Sequence, residues 1–156
     1  SIFSTIDLTS AYHQIELHPD SRDLTSFITP DGCFRGKRMP FGLASDSFVF
    51  QRVIESLFKD LEGIAIFQDD VLIYGTSVID HDSRLHHVLK VFKEKGITLG
   101  AEKCKFNVQS INYLGHKISP NGIQPKKNLI DCIGKFPSPI NKEQLRSFMG
   151  MVEFYA

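Results

Sequence analysis

Two adjacent aspartates, Asp69 and Asp70, interrupt an apolar run in the segment FQDDVLIYG, residues 67–75. Neighbouring side chains of a straight strand point to opposite faces, so the two carboxylates could not serve one site there. The pattern therefore predicts a tight hairpin, with the acids at its tip and residues 63–67 and 71–74 as its buried arms. Turn chemistry alone also accounts for such aspartates, because their side chains can bond the nearby backbone.

A third acid, Asp7, ends another strand-like segment, FSTID. If the strands adjoin in one sheet, Asp7, Asp69 and Asp70 lie at the same edge. Crowded carboxylates repel one another, and a divalent cation removes that conflict. Carboxylate oxygens suit Mg²⁺, which also accepts substrate phosphates. The three acids thus predict a two-metal phosphoryl-transfer site, in which one ion activates the attacking hydroxyl and the other stabilises the leaving pyrophosphate.

Hydrophobic periodicity and turn residues predict the elements that position these acids. The first and best-defined helix has Ser45 or Asp46 as its N-cap, and the second ends at Gly96. The turn signals PDG and SPNG predict two hairpins. The order of strand-like and helical segments indicates an α+β fold with helices on one face of a sheet. The predicted helices span residues 45–59, 78–95, 126–135 and 141–155.

The composition is that of one globular domain with a core, since 42% of the 156 residues are hydrophobic. The 18 basic residues balance the 18 acidic ones, which argues against a strong binder of phosphate backbones unless further charge lies in a longer chain. Both ends fall inside predicted elements, so we expect a segment cut from a longer chain. No apolar run approaches the roughly 20 residues of a membrane span, and we expect a soluble, intracellular protein without a membrane partner.

Three histidines in HDSRLHH, His81, His86 and His87, invite a zinc interpretation. Positions five and six apart do not share a helix face, and no cysteine lies nearby, so the pattern disagrees with zinc spacings. We interpret these residues as polar histidines on a helix surface. The three cysteines include no CxxC pair and are interpreted as reduced thiols.

Five ordered blocks carry a family likeness: FSTIDLTSAYHQI, KRMPFGL, FQDDVLIYG, AEKCKF and INYLGHKISPNGI. Together they resemble the reverse transcriptases of long-terminal-repeat retrotransposons, the Ty3/gypsy kind most of all. The resemblance spans essentially the whole chain and implies a right-handed polymerase architecture. Residues 1–118 resemble the palm, an antiparallel sheet with helices on one face, in which about 15–38 form a fingers-side segment. Residues 119–156 resemble the connection and the beginning of the thumb.

The resemblance also implies roles for single residues. Asp7, Asp69 and Asp70 match the catalytic, metal-binding aspartates, and the backbone carbonyl of Leu8 matches a further ligand. Two Mg²⁺ ions are implied as cofactors, with Mn²⁺ as the alternative. Tyr12 falls where the family keeps an aromatic gate against the ribose 2′-hydroxyl, although a tyrosine of the core is the other interpretation.

Further matches concern the nucleotide and the primer. Gly42 would allow the chain to approach the nucleotide closely. Lys103 lies in the block AEKCKF, where a role near the triphosphate and a solvated lysine are both open. The positions implied to bind nucleotide are Tyr12, Phe41, Gly42, Phe67 and Gln68. The positions implied to form the primer grip are Tyr113, Leu114, Gly115 and His116.

The resemblance implies an RNA or DNA template with its primer, and deoxynucleoside triphosphates, as partners. It also implies the rest of a retroelement polyprotein, namely fingers, thumb and RNase H. The implied location is the cytoplasm or a virus-like particle. We expect weak or no polymerase activity from this chain alone, because most of the phosphate contacts that give polymerases their affinity belong to the other parts.

Several residues depart from the family pattern. Phe67 stands where tyrosine is commoner, which removes a hydroxyl and preserves stacking. LASDSFVFQ replaces a segment close to LTNAPATFQ, so Asp46 adds a negative charge where phosphates pass, and Phe48 and Val49 replace small residues. These changes favour a second hypothesis, a catalytically inert relict or a co-opted binding or interaction module with the palm fold. Another palm enzyme, such as a nucleotide cyclase, fits the acids but not MPFGL or YLGH.

Overall fold

The structure, a computed structural model, describes residues 1–154, which form two compact units, one of Ser1–Gln109 and one beginning at Ser110. Both units contain antiparallel strands together with helices, which confirms the predicted α+β class. The strands are β1 (Ile2–Asp7), β2 (Phe27–Thr29), β3 (Gly32–Phe34), β4 (Ile64–Phe67), β5 (Asp70–Gly75), β6 (Lys105–Val108), β7 (Ile111–Tyr113), β8 (His116–Ser119) and β9 (Gly122–Pro125). The helices are α1 (Asp46–Leu57), α2 (Val78–Lys95), α3 (Lys127–Gly134) and α4 (Lys142–Glu153), and 3-10 helices span Ala11–Gln14 and Pro19–Thr25.

An antiparallel sheet with the strand order β4-β5-β1-β6 forms the centre of the first unit. β4 and β5 are the two arms of the predicted hairpin around the acids, and β1 pairs with β5 along its whole length. Both α1 and α2 contribute to one buried cluster with these strands, and the rings of Phe58 and Phe92 lie 5.3 Å apart in it. The helices therefore cover one face of this sheet.

Strand alternation separates the covered face of the sheet from the opposite face. Ile6 on β1 and its register partner Val71 on β5 are fully buried in the cluster beneath the helices. The next pair along these strands is Asp7 and Asp70. Because neighbouring residues alternate, this acidic pair belongs to the face that the helices leave open.

Helix α1 begins one residue after Ser45, as the sequence predicts, but its N-terminus is held differently. Ser45 makes no side-chain capping bond. Asp46 is only 4% exposed, and its Oδ2 accepts a hydrogen bond of 2.8 Å from the N–H of Leu43. The carboxylate of Asp46 therefore turns inward to the loop before the helix, and the effect of its negative charge on passing phosphates stays a prediction. Phe48 and Val49 do lie on the exposed surface.

Helix α2 has the predicted ends, but one of its three histidines is not exposed as predicted. The Ser77 hydroxyl accepts from the Asp80 N–H, and Gly96 ends the helix at φ 69°, in the left-handed region. His86 and His87 are exposed, as expected of helix-surface histidines. His81 is fully buried, so its interpretation as a surface histidine is wrong.

The buried His81 joins α2 to two strands of the sheet. Its Nε2 lies 2.9 Å from the hydroxyl of Ser4 on β1, and its Nδ1 lies 2.9 Å from a carboxylate oxygen of Asp82. The Ser4 hydroxyl also accepts from the N–H of Asn107 on β6, at 3.0 Å. Gly75 makes room for this arrangement, because a Cβ there would lie 2.5 Å from the backbone nitrogen of His81.

The second unit has a three-stranded antiparallel sheet with the order β7-β8-β9. The hairpin predicted at SPNG is formed by β8 and β9, and β7 extends it by a third strand. Helices α3 and α4 lie close to their predicted bounds, and the predicted end of the last helix at Tyr155 lies outside the described residues. The rings of Phe136 and Phe148 pack 5.6 Å apart in this unit. Within residues 1–154, no helix is long and apolar enough to cross a membrane.

Candidate active site

The acidic residues meet where β1 pairs with the β4–β5 hairpin. Asp7 ends β1, Asp70 begins β5, and the two are direct register partners. Asp69 lies in the turn before Asp70, and its backbone carbonyl accepts a hydrogen bond of 3.2 Å from the N–H of Leu8. Burial raises the pKa of Asp70, the negative charges of Asp69 and Asp7 raise it further, and the positive charge of Lys103 opposes them. The site thus places carboxylates where their charges repel.

Lys103 provides the positive charge on this site. Its Nζ lies 3.4 Å from Oδ1 of Asp7, which is 21% exposed, whereas the lysine side chain is 68% exposed. The backbone N–H of Gly100 donates to the carbonyl of Asp7 at 2.9 Å, and a Cβ on Gly100 would lie 3.0 Å from Oδ1. The loop that carries Lys103 therefore packs closely against the acid at the end of β1.

The carboxylates fit a divalent cation by their chemistry and their crowding. Mg²⁺ is commonly held by one or two carboxylates together with waters and substrate phosphates, and the opposed pair of Asp7 and Asp70 supplies such oxygens. Burial is the main cause of the raised pKa of Asp70, and the charges of Asp69 and Asp7 add a repulsion that a bound cation would relieve. In the described part of the chain, no three His, Cys, Asp or Glu side chains are already arranged as a metal-binding group. The full ligand set of Asp7, Leu8, Asp69 and Asp70 therefore stays a prediction.

A cavity of about 350 Å³ opens beside these acids. Asp7 and Asp69 line it together with Tyr12, Phe41 and Lys103. The cavity thus combines carboxylates, a cation and aromatic rings.

Tyr12 is half-buried and packs against neighbouring side chains. Its ring meets those of Phe41 and Phe50 edge-on, with centroids 5.4 and 5.2 Å away, and its hydroxyl lies 3.1 Å from the hydroxyl of Ser47. It packs against the buried core and also lines the cavity, so the structure places it where both sequence interpretations apply. Its role as a gate stays a prediction.

The other residues implied to bind nucleotide lie near the same edge or on loops. Phe41 and Phe67 are 63% and 50% exposed, and the edge-on contact of Phe41 with Tyr12 leaves much of the Phe41 ring open to solvent. Gly42 has φ 97°, a backbone conformation that residues other than glycine rarely adopt. Gln68, which has φ 54°, forms the turn together with Asp69. Their contacts with a nucleotide remain predictions.

The four residues implied to form the primer grip lie together in the second unit. Tyr113 and His116 are register partners at the ends of β7 and β8, and Leu114 and Gly115 form the turn between them. Both turn residues have positive φ, 46° and 82°, which is the geometry of a tight two-residue hairpin. The four residues therefore form one tight turn, and their contact with a primer stays a prediction.

Sequence reasoning missed Gln51 as a residue of this region. From α1 it bonds the backbone of the hairpin that carries Asp69 and Asp70. A glutamine on an amphipathic helix is ordinary, and the signal that could have found it is that LASDSFVFQ keeps the final glutamine of the family segment LTNAPATFQ.

Comparison with known proteins connects this arrangement to a family. A family model described as reverse transcriptase (RNA-dependent DNA polymerase) matches residues 1–118. The chain belongs to the reverse transcriptase family. Its relatives include the Pol polyproteins of the Drosophila melanogaster transposons 412 and gypsy, which are 36% and 33% identical to it over 98% of the chain. The resemblance to retrotransposon enzymes is thus confirmed.

Solved reverse transcriptases share the fold. A foamy viral protease-reverse transcriptase in complex with double-stranded DNA superposes with a TM-score of 0.89 at 25% identity, over 98% of this chain and 27% of that one. The same viral enzyme with an RNA/DNA hybrid gives a TM-score of 0.84 over 98% of this chain and 21% of that one. This reverse transcriptase chain spans only 12% of the transposon 412 polyprotein and 15% of the gypsy polyprotein.

Proposed function

We propose that this chain is the palm of a retroelement RNA-directed DNA polymerase. It would extend a primer on an RNA or DNA template with deoxynucleoside triphosphates. The observation that supports this proposal best is the pairing of Asp7 with Asp70 across β1 and β5, with Asp69 in the adjoining turn and a cavity of about 350 Å³ beside them. Family membership supports the proposed reaction, and this geometry supports its proposed location.

In the proposed reaction the primer 3′-oxygen forms a bond to the α-phosphorus of the incoming nucleotide. The bond from that phosphorus to the bridging oxygen breaks, and pyrophosphate leaves. Asp7, Asp69, Asp70 and the carbonyl of Leu8 are the proposed ligands of two Mg²⁺ ions, or of Mn²⁺ in their place. Bound there, the ions supply positive charge that activates the hydroxyl and stabilises the leaving group.

The remaining side chains of the cavity have positioning roles in this proposal. Tyr12 presents its ring toward the ribose, where it excludes a 2′-hydroxyl, and Phe41 and Gly42 line the nucleotide. Phe67 and Gln68 lie beside it at the hairpin tip. Lys103, already beside Asp7, adds a positive charge for the triphosphate. The turn of residues 113–116 holds the primer end.

The proposed setting is a retroelement polyprotein whose fingers, thumb and RNase H complete the enzyme. Two relatives are Pol polyproteins many times longer than this chain, which supports that setting. The polyprotein would act in the cytoplasm or in a virus-like particle. Since the chain carries no net charge, we propose that other parts supply most of the contacts to phosphates.

Primer extension tests the proposal directly. On a poly-rA template primed with oligo-dT, we expect weak, Mg²⁺-dependent incorporation of dTTP by this chain and none by Asp69→Asn. A longer chain that restores fingers and thumb should raise incorporation in the unsubstituted protein only, because it adds the missing backbone contacts. If the longer chain incorporates no more than its Asp69→Asn control, the polymerase proposal is wrong.

That negative result would favour the second candidate function, an inert relict or a co-opted interaction module. The observation behind it is the start of α1, where Phe48 is 67% exposed and Val49 is 37% exposed. Both replace small residues of the family pattern. Large contiguous apolar patches mark surfaces that bind another macromolecule, and these two side chains would contribute to one.

A further inference from the structure

Gln51 connects helix α1 to the tip of the acidic hairpin through both ends of its side-chain amide. Its Oε1 accepts a hydrogen bond of 2.7 Å from the N–H of Gln68, and its Nε2 donates to the carbonyl of Ile66 at 2.8 Å. Nε2 also donates to a carboxylate oxygen of Glu55, at 2.6 Å. These partners fix the orientation of the amide, because a backbone N–H can only donate and the two oxygens can only accept.

The position of β4 explains why this contact matters. β4 is an edge strand in the order β4-β5-β1-β6, so the outer backbone groups of the hairpin have no neighbouring strand to bond. Ile66 and Gln68 are two residues apart and turn their polar groups to the same outer side, toward Gln51. The glutamine amide therefore bonds the edge as one residue of an additional strand would.

The turn that Gln51 holds has a conformation that needs support. Gln68 has φ 54°, in the left-handed region that residues other than glycine rarely occupy. The next residues are Asp69, bonded through its carbonyl to Leu8, and Asp70, in register with Asp7. A turn that relaxed toward ordinary φ values would move both carboxylates relative to Asp7.

We propose that Gln51 is a positioning residue, which holds the hairpin tip so that the carboxylates of Asp69 and Asp70 stay within reach of a divalent cation. This inference rests on the proposed metal-dependent function of the acids. Gln51 is not one of the proposed metal ligands, and its partners are Gln68, Ile66 and Glu55. Its effect passes through two backbone hydrogen bonds.

The test replaces Gln51 by methionine, which keeps the length and apolar body of the side chain and removes its polar groups. We expect hydrogen exchange of the Gln68 amide, followed by NMR, to accelerate about tenfold, since the N–H loses its acceptor. We expect the affinity for Mn²⁺ alone, measured by electron paramagnetic resonance of the free ion, to fall about tenfold, the usual cost of removing an outer support of a metal site. Gln51→Asn, one methylene too short to reach both groups, should give the same result and serves if Gln51→Met does not fold.

Arg84→Met is the matched control, because Arg84 also links a helix to this hairpin, but at the far end. Its Nη1 donates to the carbonyl of Tyr74 at 2.7 Å. We expect this variant to lose stability and to keep its Mn²⁺ affinity within twofold. A role of Gln51 in stability alone would give the two variants the same Mn²⁺ affinity.

The outcomes separate this inference from the function beneath it. If the unsubstituted chain binds Mn²⁺, Asp70→Asn does not, and Gln51→Met binds as the unsubstituted chain does, the positioning role is wrong and the metal site stands. If the unsubstituted chain binds Mn²⁺ no better than Asp70→Asn, the metal site itself is wrong, and the role of Gln51 fails with it.

Discussion

Replacing Asp70 by asparagine should make the metal-free protein more stable at neutral pH and should also abolish its stabilisation by Mg²⁺. The pKa of Asp70 lies above its ordinary value of 3.8, because of burial and then of the charges on Asp69 and Asp7. The folded state therefore binds this proton more tightly than the unfolded state does. It follows that the ionised carboxylate destabilises the fold, and asparagine removes that charge.

The raised pKa of Asp70 determines how the stability difference between the two proteins varies with pH. The destabilisation by Asp70 is fully present above the raised pKa of the folded state, decreases as the pH falls through that pKa, and is absent below 3.8, where both states hold the proton. The stability difference between Asp70→Asn and the unsubstituted protein should therefore be largest at neutral pH and should vanish in acid. Thermal unfolding without metal, at a series of pH values, measures this difference.

Metal binding should stabilise the unsubstituted protein and not Asp70→Asn. At ten times its dissociation constant, Mg²⁺ is expected to stabilise the unsubstituted protein by about 1.4 kcal/mol, since it binds only the folded state. Asp70→Asn should gain little, and its primer extension should fall at least about 100-fold, or about 2.7 kcal/mol in the barrier. Asp31→Asn, at the exposed tip of the β2–β3 hairpin, should leave all these quantities unchanged. A less stable Asp70→Asn at neutral pH without metal would contradict the prediction.

The position of the acids could be predicted from the sequence because local rules determine it. Two neighbouring aspartates between apolar arms require a turn, and the strand that ends at Asp7 brings its own acid to the same edge when the strands pair. The register of β1 and β5 aligns Asp7 with Asp70 rather than with Asp69. The hydrophobic pattern did not specify that choice, since it depends on how two segments more than 60 residues apart meet.

What the sequence could not predict are side chains whose partners lie far along the chain. Asp46 has the pattern of a helix cap or a surface charge, and only the path of the preceding loop turns it inward. Gln51 is an ordinary helical glutamine until β4 lies beside it. His81 did leave a signal, because Leu85, Val88 and Phe92 follow it at helical spacing on the apolar face. Burial of a histidine requires a hydrogen-bond partner, and the partner here, the hydroxyl of Ser4, lies 77 residues away in the sequence. The pattern around His81 therefore did not predict its burial.

Replacement of this histidine is expected to produce the largest loss of stability. His81→Ala removes a fully buried ring and leaves the hydroxyl of Ser4 without its partner on α2, so we expect a loss of about 2–4 kcal/mol in the free energy of unfolding. That is a large part of the roughly 5–15 kcal/mol that stabilises a domain. Urea unfolding followed by circular dichroism measures it.

His86→Ala is the matched control, since His86 is exposed on the same helix and should change stability by no more than about 0.5 kcal/mol. Equal stability of the two variants would show that the contact between His81 and Ser4 contributes nothing.

In the neutral ring, Nδ1–H donates to Asp82 and Nε2 accepts from the Ser4 hydroxyl. Ser4 lies on the strand that ends at Asp7, and the Asn107 N–H bonds the same hydroxyl from β6. Loss of the bond between His81 and Ser4 should therefore make the strand that carries Asp7 more mobile. We expect His81→Ala to lose Mn²⁺ affinity together with stability. His86→Ala should keep both.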